Sequence, residues 1–386
     1  MAGIYIHIPF CSRKCLYCGF YSVSNLFAST RLGGEFADRY VDALLKEFVL
    51  RRAEISEPVT TLYIGGGTPS LLPRLSLKRL VEGIETAVGG LAIEEFTIEA
   101  NPEQINREEL TVWKEMGINR VSIGVQSFSD DELKVCGRRH TASQAQNAVE
   151  RAIEEMNNVS IDLIYGLPKQ SFDSWAASVE RAIELRPTHI SAYALMYDEG
   201  TSFTKLLASG TLKETSEELL ERMYSYLTDR LASAGYEHYE VSNFALPGFR
   251  SRHNSSYWIA TPYLGLGAAA HSYDGLRTRR SNPEDVEAYV ENFEMIRPNR
   301  FFNEEVLTDT ELREEMILTR MRTCEGLSLK LYEMRFGTDA LIILKNAAVS
   351  WIKRGAAEYS PDRSHLRLTA SGVMLSDAVI LSLTDF

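Results

Sequence analysis

Apolar and β-branched residues cluster in six short runs along the first half of the chain, at residues 4–8, 61–65, 95–99, 120–125, 159–164 and 189–193. Between these runs, apolar side chains recur at helical spacing, as at Phe36, Tyr40, Leu44 and Phe48, which predicts amphipathic helices. Nearly continuous apolar strands that alternate with helices are typical of a parallel sheet covered by helices. The pattern therefore predicts an α/β fold whose core is a partial parallel (β/α)6 barrel.

Polar and glycine-rich segments follow the predicted strands at their carboxyl ends. Three cysteines follow the first strand, Gly65-Gly66-Gly67 ends the second, and Glu99 ends the third. Gln126 follows the fourth strand, and the fifth strand carries Asp162. The carboxyl ends of parallel strands meet on one face of a barrel, where the following loops build active sites. We therefore expect these residues to form one site.

The pattern changes after about residue 210. One helix is predicted at 216–234, and residues 236–273 mix short strands with loops rich in Tyr, His, Gly and Asn. Beyond residue 283 the spacing predicts helices at 284–295, 309–322, 328–336 and 340–353, a hairpin near 361–364 and a final helix. We expect three parts, namely the barrel core at 1–210, a connecting segment at 211–283 that completes the side of the barrel, and a mainly helical, winged-helix-like domain at 284–386.

Composition narrows the classes of function. The chain has 386 residues, of which 45% are hydrophobic and 24% are charged, which is enough to form a substantial core. Its formal net charge of -12 disfavours binding to nucleic acid, which relies on clustered Lys and Arg. No apolar stretch reaches the roughly 18 residues of a membrane span, and the N-terminus lacks the layout of an export signal. We therefore expect a cytoplasmic protein without a nucleic-acid partner or a membrane span.

Cys11, Cys15 and Cys18 lie close together, in the spacing Cys-x3-Cys-x2-Cys. Three soft thiolates on one loop suit an iron-sulfur cluster and leave one iron without a protein ligand. The alternative is a zinc site in which His7 supplies the fourth ligand, because Cys-x2-Cys pairs are also common in zinc ribbons. The other two cysteines, at positions 136 and 324, stand alone, and we expect both to be small buried hydrophobic side chains.

The glycine run lets the backbone approach a ligand closely, but such loops also bind phosphates or simply turn the chain. No Lys follows the run as a phosphate-binding P-loop requires. Glu99 suits the hydroxyl or ammonium groups of a cofactor, and the alternative is a strand-end carboxylate that faces water. Arg138 suits pairing with a carboxylate, and the alternative is a solvated helix face. These residues taken alone leave the ligand undecided.

Several longer motifs, in the same order along the chain, resemble those of the radical S-adenosylmethionine (SAM) superfamily, in the branch of oxygen-independent coproporphyrinogen III dehydrogenase. They are the three-cysteine loop with residues 6–11, and residues 65–70, 99–102, 124–128 and 162–168. The resemblance covers nearly the whole chain and implies a radical SAM barrel. It also implies a [4Fe-4S] cluster on Cys11, Cys15 and Cys18, whose open iron is chelated by the methionine part of SAM.

The SAM contacts implied by the resemblance come from several parts of the predicted barrel. They are Tyr5, Tyr17, Gly66, Gly67, Thr68, Glu99, Gln126, Arg138 and Asp162. The two tyrosines would flank the cofactor, the glycines and Thr68 would contact its methionine end, and Glu99 would bind its polar groups. The resemblance also implies a redox partner that donates an electron to the cluster.

Two departures separate the chain from the dehydrogenase. The family enzyme has a further cysteine two residues beyond the third, where this chain has Phe20, and it has an N-terminal extension before its first strand, which begins here near Ile4. In both respects the chain is similar to the HemW group, whose members are regarded as heme chaperones that deliver heme to acceptor proteins. The resemblance therefore implies heme as a further ligand and heme-accepting proteins as partners. It does not assign a catalytic role to any residue.

The HemW group is also similar to this chain at His253, Asn254, Tyr257 and Trp258, a His-Asn-x-x-Tyr-Trp motif linked to heme binding. A His imidazole is a good axial ligand of heme iron, and Tyr and Trp offer flat apolar surface to a porphyrin. The alternative is a hydrogen-bonded corner of the fold beside the barrel. For the whole chain two functions compete. We expect a heme chaperone, and the alternative is an oxygen-independent coproporphyrinogen III dehydrogenase that oxidatively decarboxylates propionates.

Overall fold

The fold is built on one large mixed β-sheet with helices packed against it. The computed structural model describes residues 1–24, 30–88 and 93–384. Its strands are β1 (Ala2–Ile8), β2 (Val59–Gly66), β3 (Glu95–Ala100), β4 (Arg120–Gln126), β5 (Val159–Tyr165), β6 (His189–Ala194), β7 (Glu237–Glu240), β8 (Asn243–Ala245), β9 (Tyr263–Leu266), β10 (His271–Tyr273), β11 (Thr278–Ser281), β12 (Asn303–Val306), β13 (Leu327–Ser328), β14 (Ala357–Tyr359) and β15 (His365–Leu368).

The α-helices lie mainly on the connections between these strands and in the C-terminal part. They are α1 (Thr30–Arg51), α2 (Arg74–Val88), α3 (Arg107–Glu115), α4 (Asp130–Val135), α5 (Ala142–Glu155), α6 (Phe172–Leu185), α7 (Ser202–Ala208), α8 (Glu217–Ser233), α9 (Arg252–Trp258), α10 (Val286–Glu294), α11 (Asp309–Met321), α12 (Leu329–Phe336), α13 (Thr338–Lys353), α14 (Ala370–Val373) and α15 (Ser376–Thr384). Short 3-10 helices cover Arg52–Glu54, Pro69–Leu71 and Pro102–Gln104.

Strands β1 to β6 form the parallel core that the sequence predicts. They are hydrogen-bonded neighbours in chain order, with pairings such as Tyr5 with Tyr63 and Tyr63 with Thr97. The complete sheet has the order β12-β11-β10-β9-β1-β2-β3-β4-β5-β6-β8-β7, and it is open, with β12 and β7 at its edges. The prediction of an α/β fold with a partial parallel (β/α)6 barrel is confirmed.

The two faces of the parallel core differ in polarity. On β1, Ile4, Ile6 and Ile8 are fully buried in the main hydrophobic core, which includes side chains of the covering helices. Many of the alternate positions of the other strands are polar and also buried, namely Thr61, Glu95, Thr97, Arg120, Ser122, Ser160, His189 and Ser191. Since side chains alternate along a strand, the apolar runs resolve into one apolar face toward the helices and one polar face. Closed barrels differ in this respect, because their interiors are filled mainly by branched apolar side chains.

The chain after residue 210 adds strands on both sides of the parallel core. Helix α8 occupies the helix predicted at 216–234, and β8 and β7 extend the sheet beyond β6 in antiparallel pairing. On the other side β9 pairs in parallel with β1, and β10, β11 and β12 follow as antiparallel strands. Helix α10 packs against α1 and contributes Tyr289 to the main core. The chain from α10 to β12 therefore packs with the main sheet.

The C-terminal helices build a second hydrophobic core, which includes Ile317, Leu344 and Leu383. Strands β13, β15 and β14 form a small antiparallel sheet beside them, at the place of the predicted hairpin. The mainly helical, winged-helix-like C-terminal part is confirmed. The domain division at residues 210 and 283 stays a prediction. Within the described ranges, no helix has the length and apolar character needed to cross a membrane.

Candidate functional site

The loop after β1 carries the three-cysteine motif. Backbone hydrogen bonds fix its two ends, since Val23 N–H donates to Pro9 O at 2.7 Å and Cys11 N–H donates to Val23 O at 3.0 Å. In its middle, Leu16 N–H donates to Cys136 O at 3.1 Å. The three cysteine side chains of the motif are unbridged thiols of intermediate exposure. The loop is held by its backbone, and its sulfur atoms remain accessible to a ligand.

Side chains from other loops reach the cysteines. Thr68 Oγ1 lies 3.5 Å from Cys11 Sγ, and Asn101 Nδ2 donates to the same hydroxyl oxygen at 3.1 Å. Arg138 Nη2 donates to Asn101 Oδ1 at 2.7 Å, and Arg138 Nη1 donates to Cys15 Sγ at 3.5 Å. This chain of hydrogen bonds connects the first cysteine to the second and places a guanidinium cation beside the sulfur atoms.

Burial and charge at the cysteines suit a metal cluster. Burial raises the pKa of the Cys18 thiol to about 11 and also raises the pKa of Cys11, so both thiols are protonated near neutral pH unless a metal cation stabilises the thiolate. Burial disfavours charge on Arg138, yet its pKa is raised because Tyr17 and Cys15 favour the charged form. Iron-sulfur clusters take thiolate ligands, and the Arg138 cation offsets part of their negative charge. The donor set fits a [4Fe-4S] cluster.

The glycine run after β2 approaches the cysteine loop closely. Gly67 N–H donates to Ile8 O at 2.9 Å, and Thr68 N–H donates to Phe10 O at 2.7 Å. Gly66 has a φ of 113°, and a Cβ atom at this position would lie 2.6 Å from the His7 ring. Glycine adopts this backbone conformation without strain, whereas a larger residue does not. The run therefore forms a wall of backbone beside the cysteines.

Glu99 faces the same turn, and both of its carboxylate oxygens are bonded inside the protein. Its Oε2 accepts from Gly66 N–H at 2.9 Å, and its Oε1 accepts from Tyr63 OH at 2.6 Å. Burial, together with repulsion from Asp162, raises the pKa of Glu99 to about 7. Burial also raises the pKa of Asp162, which accepts from Ser122 Oγ at 3.4 Å. Neighbouring carboxyl groups with raised pKa values are typical of binding and catalytic sites.

The other residues predicted to contact SAM lie around this pocket. Gln126 is buried, with a φ of 69°, at a bulge in the register between β4 and β5. A left-handed residue at a bulge re-aims the side chain at the strand end. Tyr5 OH lies 3.0 Å from His7 Nδ1, and the Tyr17 ring packs near Phe203 with centroids 6.3 Å apart. The structure brings the predicted residues to one end of the sheet, and their contact with SAM stays a prediction.

His7 is not placed as a fourth zinc ligand. Its Nδ1 is bonded to Tyr5 OH and its Nε2 to Tyr21 O, each at 3.0 Å, and burial lowers the pKa of His7 to about 4. Among residues 1–24, 30–88 and 93–384, no three His, Cys, Asp or Glu side chains converge where they could hold one metal ion. Zinc needs four ligands on a single centre, and both ring nitrogens of His7 are already bonded within the protein. These contacts argue against His7 as the fourth ligand of a zinc site.

The predicted heme motif lies on α9, and its histidine is fully enclosed. His253 is 1% exposed, and its Nδ1 is bonded to Thr61 Oγ1 and its Nε2 to Tyr257 OH, each at 2.8 Å. Its ring stacks on Tyr63, with centroids 5.1 Å apart. Burial lowers the pKa of His253 to about 3, so the imidazole is neutral. These contacts are those of a hydrogen-bonded corner, and contact with heme stays a prediction.

Glu95 holds α9 against the amino ends of the strands. Its carboxylate, at the start of β3, accepts from the backbone N–H groups of Arg252 and His253, each at 2.9 Å, and so caps the N-terminus of the helix. Thr61, near the start of β2, is paired with Glu95 across the sheet. The cysteine loop follows the carboxyl end of β1, so the heme motif and the cysteine loop lie at opposite ends of the parallel sheet. Asn254 and Trp258 are partly exposed.

The sequence pattern assigns no individual role to several residues of these networks, although Asn101 lies within the motif at residues 99–102. Asn101 bridges Thr68 and Arg138, while Tyr63 joins Glu99 to His253. Tyr63 and Glu95 lie inside or beside apolar runs, where alternation of the two strand faces is the signal that could have found them. Of the two isolated cysteines, the one at position 136 is buried as predicted. The prediction for the one at position 324 is wrong, because that side chain is exposed.

Comparison with known families matches two regions of the chain. Residues 5–182 match the radical SAM superfamily, and residues 307–375 match the HemN C-terminal domain. The first region contains the cysteine loop and most of the parallel core, and the second contains most of the C-terminal helices. The structure of coproporphyrinogen III oxidase (HemN) from Escherichia coli, a radical SAM enzyme, has a TM-score of 0.81 and 23% identity over 99% of this chain and 90% of that chain. At this identity the likeness establishes the fold.

Relatives at higher identity cover most of the chain. The heme chaperone HemW of Lactococcus lactis is 39% identical over 335 residues, which are 86% of this chain and 84% of the relative. The heme chaperone HemW of Bacillus subtilis is 34% identical over 385 residues, or 98% of both chains. The heme chaperone HemW of E. coli is 36% identical over 272 residues, or 70% of this chain and 69% of the relative. The superfamily match implies a [4Fe-4S] cluster and SAM as cofactors. The chain belongs to the HemW family of the radical SAM superfamily.

Proposed function

We propose that this chain is a heme chaperone that binds heme, a [4Fe-4S] cluster and SAM, and that delivers heme to acceptor proteins. The observation that carries the proposal is the 34% identity to the B. subtilis heme chaperone HemW over 98% of both chains. That alignment leaves out almost none of the sequence, so it includes the cysteine loop, the strand-end pocket and α9. An electron donor and heme-accepting proteins are the partners that this function requires, and a cytoplasmic location stays a prediction.

The cofactor part of the proposal rests on the carboxyl end of the sheet. Cys11, Cys15 and Cys18 hold the cluster, and SAM lies against the glycine run and the pocket around Glu99. When bound, the reduced cluster and SAM supply one-electron cleavage of the SAM sulfonium. Arg138 stabilises the cluster thiolates through its 3.5 Å contact with Cys15 Sγ. Glu99, whose pKa is raised to about 7 by burial and by Asp162, accepts hydrogen bonds from the polar groups of the cofactor.

The heme part of the proposal rests on α9 and the residues that follow it. Heme contacts the motif of His253, Asn254, Tyr257 and Trp258. Trp258 is partly exposed and offers its ring to a flat ligand. A direct bond from His253 to heme iron requires the loss of its bonds to Thr61 and Tyr257. The motif therefore supports heme contact through its aromatic end more directly than through its histidine.

The competing function, anaerobic decarboxylation of coproporphyrinogen III, shares the fold. The residue two positions beyond the third cysteine argues against it, because Phe20 replaces the further cysteine of the dehydrogenase. The Phe20 side chain is 71% exposed and has no group that could ligate a metal. The 23% identity to the E. coli oxidase structure establishes the fold alone.

The test combines heme binding with turnover in one preparation. Anaerobically reconstituted protein is titrated with ferric heme, with and without SAM, and is then incubated with coproporphyrinogen III, SAM and a reductant. We expect saturable binding near one heme per chain and no decarboxylated porphyrinogen. Conversion of coproporphyrinogen III at a useful rate would overturn the chaperone proposal, and so would the absence of saturable heme binding. Analysis of the same samples for 5'-deoxyadenosine measures SAM cleavage separately.

A further inference from the structure

A cavity of about 270 Å³ lies between the chain after α9 and the helix α11 of the C-terminal part. The side chains that matter for its chemistry are Tyr257, Trp258 and Tyr263 on the barrel side, and Leu312, Met316 and Arg320 on α11. The end of α11 is tied to the main sheet, because Val241 N–H donates to Arg322 O at 3.1 Å and Cys324 N–H donates to Tyr239 O at 3.0 Å. The cavity therefore joins the aromatic end of the heme motif to the C-terminal helices.

Two arginines that line this cavity, Arg320 and Arg335, hydrogen-bond to backbone carbonyl groups. Burial lowers the pKa of Arg320, whose Nη2 donates to the Ile259 carbonyl at 3.3 Å. Arg335 Nη2 donates to the Leu276 carbonyl at 3.1 Å. In the part of the chain that the structure describes, neither forms a salt bridge, whereas the third arginine of the lining, Arg279, is paired with a glutamate of α11. Arg320 is partly buried, whereas Arg335 is exposed. Guanidinium groups that hydrogen-bond only to neutral acceptors remain able to pair with an anionic ligand.

The residues that line the cavity suit both parts of a porphyrin that carries carboxylate groups, namely its apolar ring and its anionic edge. Aromatic rings and aliphatic side chains suit a flat apolar macrocycle, and guanidinium groups pair with carboxylates. Sites that enclose a drug-sized ligand measure roughly 300–1,000 Å³, so this cavity takes only one edge of a tetrapyrrole. Ile259, which also lines the cavity, is 52% exposed and offers apolar surface to the rest of the ring. Partial enclosure suits a ligand that must be released to another protein.

We propose that this cavity binds the carboxylate edge of heme, with Arg320 and Arg335 pairing with the propionates and Trp258 contacting the macrocycle. This inference rests on the proposed function. It makes His253 a positioning residue, since its Nε2 lies 2.8 Å from Tyr257 OH and fixes the ring that forms part of the wall. It also assigns a role to the C-terminal helices, because α11 supplies one side of the heme site.

The experiment compares ferric protoporphyrin IX with its dimethyl ester, which lacks both carboxylate charges, on the full-length reconstituted protein. We expect the wild type to bind the diacid at least about tenfold more tightly than the ester. Arg320→Gln and Arg335→Gln should each weaken binding of the diacid roughly tenfold and leave binding of the ester unchanged. Arg151→Gln changes an exposed arginine of α5 outside this cavity and is the matched control, which should alter neither affinity.

The outcomes separate this inference from the proposed function. Circular dichroism and cluster absorbance show whether each variant is folded. If the wild type binds diacid and ester equally, or if both variants keep wild-type affinity for the diacid, the cavity assignment is overturned and the heme chaperone remains. If the wild type binds no heme at all, both fail. If Arg320→Gln does not fold, Arg335→Gln and the ester comparison still decide.

Discussion

The potential metal-binding side chains at the two ends of the parallel sheet differ in their exposure and in their hydrogen bonds. At the carboxyl end, Cys11, Cys15 and Cys18 have intermediate exposure and few protein partners. At the amino end, His253 is 1% exposed and both of its ring nitrogens are bonded. A buried polar group whose hydrogen bonds are all made within the protein stabilises the fold. A sulfur atom that has few protein partners remains able to bind a metal. Residue type alone therefore does not separate a site from a structural corner.

The largest effect should come from the cysteines. Replacing Cys11, Cys15 or Cys18 singly by Ala removes one of three thiolates, and we expect it to abolish the iron-sulfur absorbance of anaerobically purified protein. Iron and sulfide content per chain is the measurement. Cys324→Ala changes an exposed cysteine outside the loop and should leave the content unchanged. A cluster retained in all three loop variants would contradict the assignment.

At the other end of the sheet, His253→Ala should act on stability. The change removes two buried hydrogen bonds and a stacked ring, and we expect the free energy of unfolding to fall by about 2–4 kcal/mol in urea denaturation. Asn254→Ala, at the next and partly exposed position of α9, should change it by less than about 1 kcal/mol. Wild-type stability of His253→Ala, combined with an altered heme absorption band, would make His253 a ligand and remove the contrast between the two ends.

A smaller effect is expected at Gly66, in the glycine run after β2. Gly66→Ala places a Cβ atom 2.6 Å from the His7 ring at a φ of 113°. We expect a loss of about 1–3 kcal/mol of stability and weaker binding of SAM, measured by urea denaturation and equilibrium dialysis. Gly34→Ala in α1 is the control, because nothing lies within 4 Å of its Cβ position, and helix propensity should make it slightly stabilising, by about 0.5–1 kcal/mol. Unchanged SAM binding by Gly66→Ala would separate this glycine run from the cofactor.

The smallest predicted effect is an opposite response to pH at the two ends. The pKa of Glu99 is raised to about 7, so the folded chain binds a proton more strongly than the unfolded chain, whose Glu pKa is roughly 4.3. Its contribution to stability therefore falls as pH rises from roughly 4.3 to about 7. The pKa of His253 is lowered to about 3, so its contribution is fully present above roughly pH 6.5 and is lost as pH falls toward 3.

Urea unfolding of the cofactor-free protein at several pH values measures both responses. In the wild type, Glu99 contributes less to the free energy of unfolding as pH rises, and Glu99→Gln should remove that dependence. His253 contributes more as pH rises, and His253→Gln should remove that dependence. Each difference should be on the order of 1–2 kcal/mol between about pH 5 and pH 7. Parallel stability curves for the wild type and a variant would show that the group concerned does not titrate differently on folding.

The strand pattern predicted the parallel core because the signal is local. Each run coincides with one strand of the sheet, as residues 4–8 do with β1 and residues 120–125 with β4. The same runs did not show that alternate positions form a polar face, which becomes clear only when Thr97 and Arg120 are seen paired across β3 and β4. The antiparallel strands β10 to β12 were also not resolved individually from the sequence, since short strands at a sheet edge take their conformation from their neighbours.

The sequence by itself determined that the three sulfur donors of the cysteine motif lie together, because they stand on one short loop and need no distant contact to come together. Only the tertiary structure decided how His253 is used, since its partner Thr61 lies 192 positions away in the chain. The same holds for the cavity beside Trp258, which forms where α11 packs against the chain after α9. Burial and hydrogen-bond partners depend on which distant segments pack together, and spacing along the chain does not contain that information.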